Sequence, residues 1–108
     1  MNNHKLEIYI PSNIRGKADP AAHRAHVKIV SNKLTQLFGG CTAMAGTGFY
    51  KTDADETITE NVTIIHVFVT EEDLQRAIRE LTYQCEMIKM FMLQESVLMT
   101  IDNKAVFC

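Results

Sequence analysis

The segment that most constrains the fold is residues 62–69, VTIIHVFV. Every residue in it is β-branched or aromatic except His66. Such side chains favour extended backbone, and a strand that is apolar on both faces is typical of the interior of a sheet. We therefore predict a β-sheet in which residues 60–69 form a central strand.

A strand and a helix are predicted ahead of this segment. Residues 5–10 alternate between apolar and polar side chains, as a half-buried strand does. Asp19 is placed to cap a helix that begins at Pro20, and Gly39 and Gly40 are placed to end it. Between these ends, apolar residues recur at helical spacing, at Val27, Val30, Leu34, Leu37 and Phe38.

Residues 41–50 form the predicted second strand. Gly46 and Gly48 weaken an interior strand, so they suit an edge, a bulge or a close approach of another backbone or a ligand. The polar residues 51–57, KTDADET, then form the turn of a hairpin that leads into the central strand.

The second half of the chain adds another helix and two strands. Thr70 and Asp73 have capping-box spacing. The helix that they open carries an apolar stripe of Leu74, Ala77, Ile78, Leu81, Cys85, Ile88 and Met92. A strand at residues 96–101, a turn at 102–104 and a last strand at 105–108 complete an order that predicts an α+β fold. It is a ferredoxin-like βαββαβ sandwich with a short extra C-terminal strand, and the 108 residues form one domain, 1–108.

Charge and composition argue against several classes of protein. The formal net charge is −2, and the 11 Lys and Arg residues are spread along the chain, so no basic stripe for nucleic acid exists. No apolar run approaches the roughly 18 residues of a membrane span, and the N-terminus has no apolar signal core. Three cysteines without a CxxC pair predict reduced thiols and a cytoplasmic protein.

The histidine in the central strand marks the open face of the sheet. If the all-apolar faces of the first and third strands lie under the helices, the opposite face carries Tyr9, Val62, Ile64, His66 and Phe68. That face is too apolar to be left in water. Either a second subunit covers it and His66 is simply hydrogen-bonded there, or it is a pocket in which His66 and Tyr9 orient a ligand.

A second apolar flank on the second helix predicts a homo-oligomer. Tyr83, Met87, Met90 and Phe91 follow the spacing i, i+4, i+7 and i+8 beside the core stripe. A small two-layer domain cannot bury both stripes alone. We expect an oligomer interface on this flank, and the alternative is that it packs on the terminal hairpin of the same chain.

Patterns for metals, cofactors and nucleophiles are weak. His23 and His26 lie i, i+3 on a helix but lack a third ligand, so no metal site is predicted. The glycine-rich residues 39–48 match no phosphate-binding motif, and no cofactor is implied. No elbow motif surrounds Cys41 or His66, so no catalytic residue is assigned.

The acidic residues near two strand ends are candidates for a site. Glu60 begins the third strand, and Gln94 and Glu95 lead into the fourth. These side chains can meet at one end of the sheet, where paired carboxylates share a proton or bind a cation. The alternative is a solvated strand end.

The segment of residues 12–17, SNIRGK, is the candidate for anion binding. It offers Arg15 and Lys17 around a flexible glycine, and it precedes the N-terminus of a helix. It can close over an anionic ligand, and the alternative is a solvated loop.

The segments KLEIYIPS, LFGGCTAMAGTGFY, ITENVTII and MLQESVLMTIDNKAVF resemble a family of small uncharacterised ferredoxin-like proteins from bacteria, plasmids and phages. The pattern, PS, FGG-[AC]-T, G-x-W, E-x-V-T-I and QE-[AS]-V, covers nearly the whole chain. Where the pattern has the tryptophan of G-x-W, this sequence has Tyr50, so a phenol stands in place of an indole. The resemblance implies no activity, so Glu60, Gln94 and Glu95 are ligand-binding candidates only as matched positions, without roles, and Tyr50 is a candidate at a position where the sequence departs from the pattern.

These features favour a small cytoplasmic homo-oligomer that binds an anionic, nucleotide-like molecule, with neither nucleic acid nor membrane as a partner. In a phage or plasmid, such a protein can sequester a host signalling nucleotide. The predicted ligand-binding residues are Tyr9, Arg15, Lys17, Tyr50, Glu60, His66, Gln94 and Glu95. The alternatives are an acid–base enzyme of the dimeric ferredoxin-like barrel type that uses His66 with Glu60 or Glu95, and a protein–protein interaction module.

Overall fold

The computed structural model describes residues 2–108. In chain order the elements are β1 (Asn2–Ile10), β2 (Asn13–Ile14), β3 (Lys17–Ala18), α1 (Pro20–Phe38), β4 (Thr42–Lys51), β5 (Thr57–Thr70), α2 (Leu74–Phe91), β6 (Leu98–Ile101) and β7 (Lys104–Phe107). The elements follow the predicted order, with one addition. Residues 13–18, predicted as a loop, form the small β2–β3 hairpin.

The main sheet has five antiparallel strands in the order β4-β5-β1-β6-β7. Apart from the terminal β7, this is the strand order of the ferredoxin-like arrangement, in which two βαβ units interleave. The predicted α+β fold is therefore confirmed. Strand β5 lies between β4 and β1, and β4, which carries Gly46 and Gly48, lies at the edge.

Helix α1 begins and ends where the sequence predicts. The side chain of Asp19 accepts a hydrogen bond from the N–H of Ala22 at 3.0 Å, and Pro20 is the first helical residue. Gly39 has a φ of 88°, the left-handed conformation that commonly follows a helix.

Helix α2 begins later than the capping-box spacing predicts. The hydroxyl of Thr70 does accept a hydrogen bond from the N–H of Asp73, at 3.2 Å. The carbonyl of Thr70 accepts from the same N–H at 3.1 Å, which closes a turn over residues 70–73. The helix proper therefore begins only at Leu74.

The hydrophobic core lies between the two helices and one face of the sheet. It contains alternate residues of β1 and β5 and the inner stripes of both helices, among them Leu6, Ile8, Ile10, Val30, Leu34, Ile65, Val67, Val69, Ala77, Leu81, Cys85, Ile88 and Met92. All of these residues are at most 2% exposed. Because side chains alternate along a strand, this burial turns Tyr9, Val62, Ile64 and His66 to the open face, where they are half-buried.

The outer flank of α2 remains open to solvent. Tyr83, Met90 and Phe91 are each 59% exposed, while Met87 is half-buried. The alternative that the terminal hairpin of the same chain covers this flank is therefore wrong for Tyr83, Met90 and Phe91.

Two of the three cysteines form a disulfide, so the prediction of three reduced thiols is wrong. Cys85 on α2 bonds to Cys108 after β7, and their Cα atoms are 6.2 Å apart. Cys41 is free. Sequence spacing cannot show this pairing, because the two residues are 23 positions apart and meet only when β7 joins the sheet. No helix in residues 2–108 is long and apolar enough to cross a membrane.

Candidate functional site

A cleft of about 690 Å³ lies at the end of the sheet where β1 leads into the β2–β3 hairpin. Its walls come from that hairpin, from the turn between β4 and β5, from the first residues of β5, and from the segment between α2 and β6. Six of the eight predicted ligand-binding residues line it: Tyr9, Arg15, Tyr50, Glu60, Gln94 and Glu95. The fold thus brings together residues that are up to 86 positions apart, from Tyr9 to Glu95.

Glu60 is the most constrained charged group of the cleft. The residue is only 9% exposed, and its Oε2 accepts two backbone hydrogen bonds, from the N–H of Ser12 at 3.1 Å and of Asn13 at 2.8 Å. Hydrogen bonds from N–H groups to a carboxylate are stronger than those between neutral groups. The carboxylate is therefore held in one orientation, and the sequence alternative of a solvated strand end is wrong for Glu60.

Two tyrosines lie on the two strands that flank β5, the strand that carries Glu60. Tyr9 on β1 and Tyr50 on β4 both line the cleft. Partial burial raises the pKa of Tyr50, and the negative charge of Glu60 raises it further. Burial likewise raises the pKa of Tyr9, with a smaller contribution from Glu7. Both phenols therefore stay protonated at neutral pH and can donate a hydrogen bond.

Gln94 and Glu95 lie on the opposite wall, just after α2. The side-chain amide of Gln94 donates to the carbonyl of Asn13 at 2.6 Å and to that of Met92 at 3.2 Å. Glu95 is exposed and lines the cleft. Gln94 thus connects the α2–β6 segment to the hairpin, whereas Glu95 is open to solvent.

The segment 12–17 differs from its predicted form. It is a β-hairpin whose turn residues Arg15 and Gly16 have φ values of 52° and 78°, and it is not a flexible loop. Arg15 lines the cleft at this turn. Lys17 is exposed on β3 and is not a lining residue, so the structure separates the two cations.

His66 lies on the open face, as predicted, but not in the cleft. It lines a separate, shallow depression of about 410 Å³ together with Gly39, Gly40 and Cys41. Six residues of extended strand, roughly 20 Å, separate it from Glu60. Tyr9 and His66 line different depressions, although Tyr9 pairs with Ile64, two residues from His66, on the same face of the sheet. The distance from His66 to Glu60 shows that the pairing of these two residues in acid–base chemistry is wrong.

The charges of the cleft do not add up to an anion site. Arg15 and Lys51 are the basic lining residues, and Asp53, Glu60 and Glu95 are the acidic ones. Two positive and three negative charges leave a formal charge of −1. Asp53 and Lys51 were not singled out in the sequence, because only the β4–β5 turn places them at this end of the sheet.

The two histidines of α1 have different surroundings. His23 is hydrogen-bonded through both ring nitrogens, to the Pro11 carbonyl at 2.7 Å and to the Thr63 hydroxyl at 2.8 Å. His26 packs near the ring of Phe91, with ring centroids 6.2 Å apart, and burial lowers its pKa. Within residues 2–108, no group of three His, Cys, Asp or Glu side chains is arranged to hold a metal ion.

Two solved structures are similar to this chain over nearly its full length. The first is a phage SAM lyase in complex with S-methyl-5'-thioadenosine, at 16% identity and a TM-score of 0.69, covering 99% of this chain and 89% of the lyase. The second is a phage SAM lyase in the apo state, at 17% identity and a TM-score of 0.63, covering 95% and 83%. No family model and no curated protein matches the chain. At this level of identity, the similarity shows that the fold is shared.

Proposed function

We propose that this protein binds a small adenosine-type nucleoside in the cleft, of the kind that the similar phage lyase holds. The observation that carries the proposal is the buried Glu60 carboxylate, fixed by two backbone N–H groups beside a cleft of ligand size. Both bonds end on Oε2, and among residues 2–108 Oε1 has no comparable partner. A ribose offers hydroxyl donors that an acidic side chain accepts, as in other nucleoside sites.

The charge of the cleft favours this class of ligand over a phosphate-rich nucleotide. With three carboxylates against two cations, the lining suits a neutral or positively charged molecule. S-methyl-5'-thioadenosine is neutral, and S-adenosylmethionine (SAM) carries a positively charged sulfur. The earlier hypothesis of an anionic signalling nucleotide depends on Arg15 and Lys17, and only Arg15 lines the cleft. Sequestration remains a suitable role, with a nucleoside as the sequestered molecule.

The aromatic side chain of Tyr50 supports the same class. It is 46% exposed and lines the cleft, so one surface of its ring is accessible to a ligand. Stacking of a base on an aromatic ring contributes about 1–3 kcal/mol. A purine would therefore find both a stacking surface and an acceptor for its sugar hydroxyls in the same cleft.

A second candidate function is cleavage of SAM, and the specific observation that favours it is the pair of carboxylates Glu60 and Glu95 in one cleft. Carboxylates attract the sulfonium, and one of them can act as a base. If the bond between sulfur and the amino-acid chain breaks, its electron pair neutralises the sulfur and leaves S-methyl-5'-thioadenosine. The remaining four-carbon fragment must then lose a neighbouring proton or close on its own carboxylate.

The test is calorimetric titration with S-methyl-5'-thioadenosine, with S-adenosylhomocysteine and with a panel of linear and cyclic nucleotides. We expect the nucleosides to bind the wild type. Glu60→Gln should lower their affinity by about tenfold or more, because the variant removes a charged acceptor. Glu72→Gln makes the same chemical change at an exposed position outside the cleft and should bind normally. Tight binding of a phosphorylated nucleotide with no binding of the nucleosides would contradict the proposal.

Incubation with SAM then separates binding from turnover. Mass spectrometry that detects S-methyl-5'-thioadenosine and a four-carbon fragment would establish cleavage. The two routes give isomeric fragments of the same mass, so proton NMR would distinguish them, because only the proton-loss product has olefinic protons. Recovery of intact SAM from a protein that binds it would instead support a binding role alone.

A further inference from the structure

Residues 11–13, which lead from the end of β1 into the first residue of β2, are held by more hydrogen bonds than a surface connection requires. All three are buried; Ser12 is 7% exposed and Asn13 is 8% exposed. The two N–H groups of Ser12 and Asn13 both point to the Glu60 carboxylate. A buried loop must satisfy each of its backbone polar groups, so the partners of its carbonyls are informative.

Each carbonyl of this segment is bonded by a different part of the chain. The ring Nδ1 of His23 on α1 lies 2.7 Å from the Pro11 oxygen, and because a carbonyl only accepts, Nδ1 is the donor. The N–H of Asp19 donates to the Ser12 oxygen at 2.7 Å. The side-chain amide of Gln94 donates to the Asn13 oxygen at 2.6 Å.

The two side chains in this set are themselves fixed. His23 is anchored from the other side, because its Nε2 lies 2.8 Å from the hydroxyl of Thr63 on β5. The residue Gln94 is anchored by its backbone N–H, which donates to the carbonyl of Lys89, near the end of α2, at 2.9 Å. Both side chains therefore connect rigid elements to the backbone that holds Glu60.

We propose that His23 and Gln94 are positioning residues, which fix the Glu60 carboxylate through the backbone of residues 11–13. The inference rests on the proposed function in assuming that this carboxylate meets the ligand. Neither residue needs to contact the ligand itself. This role explains why both ring nitrogens of His23 are hydrogen-bonded although His23 does not line the cleft.

The most direct measurement is hydrogen exchange of the Ser12 and Asn13 amides, which needs no ligand. In His23→Ala, both amides should exchange about tenfold faster than in the wild type, relative to the core amides of Leu6 and Ile8, because loss of one bond is worth up to about 1.5 kcal/mol. His26→Ala, on the same helix and outside the network, is the matched control. If the Ser12 and Asn13 amides remain as protected in His23→Ala as in the wild type, the proposal is wrong.

Two substitutions separate positioning from a general loss of packing. The side-chain nitrogen of asparagine can occupy the place of Nδ1, whereas that of glutamine lies near the place of Nε2. His23→Asn should therefore keep the Pro11 contact and restore slow exchange, and His23→Gln should not. Equal exchange in the two variants would contradict the assigned donor.

Affinity for S-methyl-5'-thioadenosine links the network to the site. His23→Ala and Gln94→Ala should each weaken binding by several-fold, and adding either to Glu60→Ala should cause no further loss. Additive losses in the double variants would contradict the proposal. If the wild type does not bind this nucleoside, the proposed function fails, and the exchange measurements still decide whether His23 and Gln94 position Glu60.

Discussion

Nδ1 of His4 on β1 lies 2.7 Å from Oδ2 of Asp102 in the turn between β6 and β7, although 98 positions separate them in sequence. The same carboxylate accepts from the N–H of Lys5 at 2.9 Å, and the other ring nitrogen of His4 pairs with Glu71. Asp102 and Asn103 have φ values of 50° and 68°, as expected for a tight two-residue hairpin turn. This cluster connects the start of β1, the β6–β7 turn and the segment before α2.

The cluster predicts a pH-dependent stability. Its hydrogen bonds to Asp102 and then to Glu71 raise the pKa of His4, and the bond to His4 lowers the pKa of Asp102. The stabilisation from His4 is therefore complete below its unfolded pKa of about 6.5 and is lost as pH rises through the raised folded value. The stabilisation from Asp102 is present above its unfolded pKa and is lost as pH falls through the lowered value.

Urea unfolding of the wild type and His4→Gln at pH 5.5 and pH 8.5 checks this prediction. The difference in free energy of unfolding between the two proteins should be larger at pH 5.5, where the imidazole of His4 is charged. It should also shrink in high salt, because the groups are near the surface. A difference that does not change with pH would show that His4 contributes only through packing.

Arg15 provides a test of which group of the ligand the cleft recognises. S-adenosylhomocysteine carries an amino-acid carboxylate that S-methyl-5'-thioadenosine lacks, and a guanidinium can donate two hydrogen bonds to a carboxylate. We expect Arg15→Ala to lower the affinity for S-adenosylhomocysteine by about tenfold or more, and the affinity for S-methyl-5'-thioadenosine much less. Arg15→Lys should give an intermediate loss for the first ligand, because lysine cannot form the bidentate contact.

Lys17→Ala is the control for that series, since Lys17 is the nearby cation that does not line the cleft. It should leave both affinities unchanged. Equal losses for the two ligands in Arg15→Ala would mean that Arg15 supports the hairpin turn and does not recognise a carboxylate.

The Cys85–Cys108 disulfide predicts a protein that reductant destabilises. It closes a loop across 23 positions and connects the core of α2 to the residue after β7. Cross-links of this loop length stabilise by about 3 kcal/mol in the chain-entropy model. Reduction, or Cys108→Ser, should lower the free energy of unfolding in denaturant titrations by about that amount, whereas Cys41→Ser should respond to reductant as the wild type does. Thiol counting that finds three free cysteines in oxidised protein would contradict the disulfide.

The exposed flank of α2 predicts assembly into a homo-oligomer. Tyr83, Met90 and Phe91 each expose more than half of their surface, and Phe91 lies within 6.2 Å of the His26 ring on α1. Large contiguous apolar patches of this kind mark interaction surfaces. Sedimentation at micromolar concentration should give a mass of at least two chains, and replacing Met90 and Phe91 together by Asp should lower it. A 12.2 kDa species in the wild type would contradict the prediction.

The fold was predictable because its determinants are local. The alternation in residues 5–10, the apolar run at 62–69 and the helical stripes each depend on neighbours a few positions away. The cap at Asp19 and the end of α1 at Gly39 are local in the same sense. The capping-box spacing predicts a start of α2 that is too early, because Thr70 can serve a separate turn as well as a helix, and residues 70–73 alone do not distinguish the two.

The candidate site was predictable only as a set of residue types. The chain by itself determined that a strand end carries Glu60 and that Gln94, Glu95 and Arg15 are available. Only the tertiary structure decided that these four line one cleft while His66 and Lys17 lie elsewhere. It also decided that His23 and Gln94 hold the backbone around Glu60. The physical reason is that these contacts join residues 12 to 81 positions apart. Their distances follow from sheet register and helix placement, which no local pattern encodes.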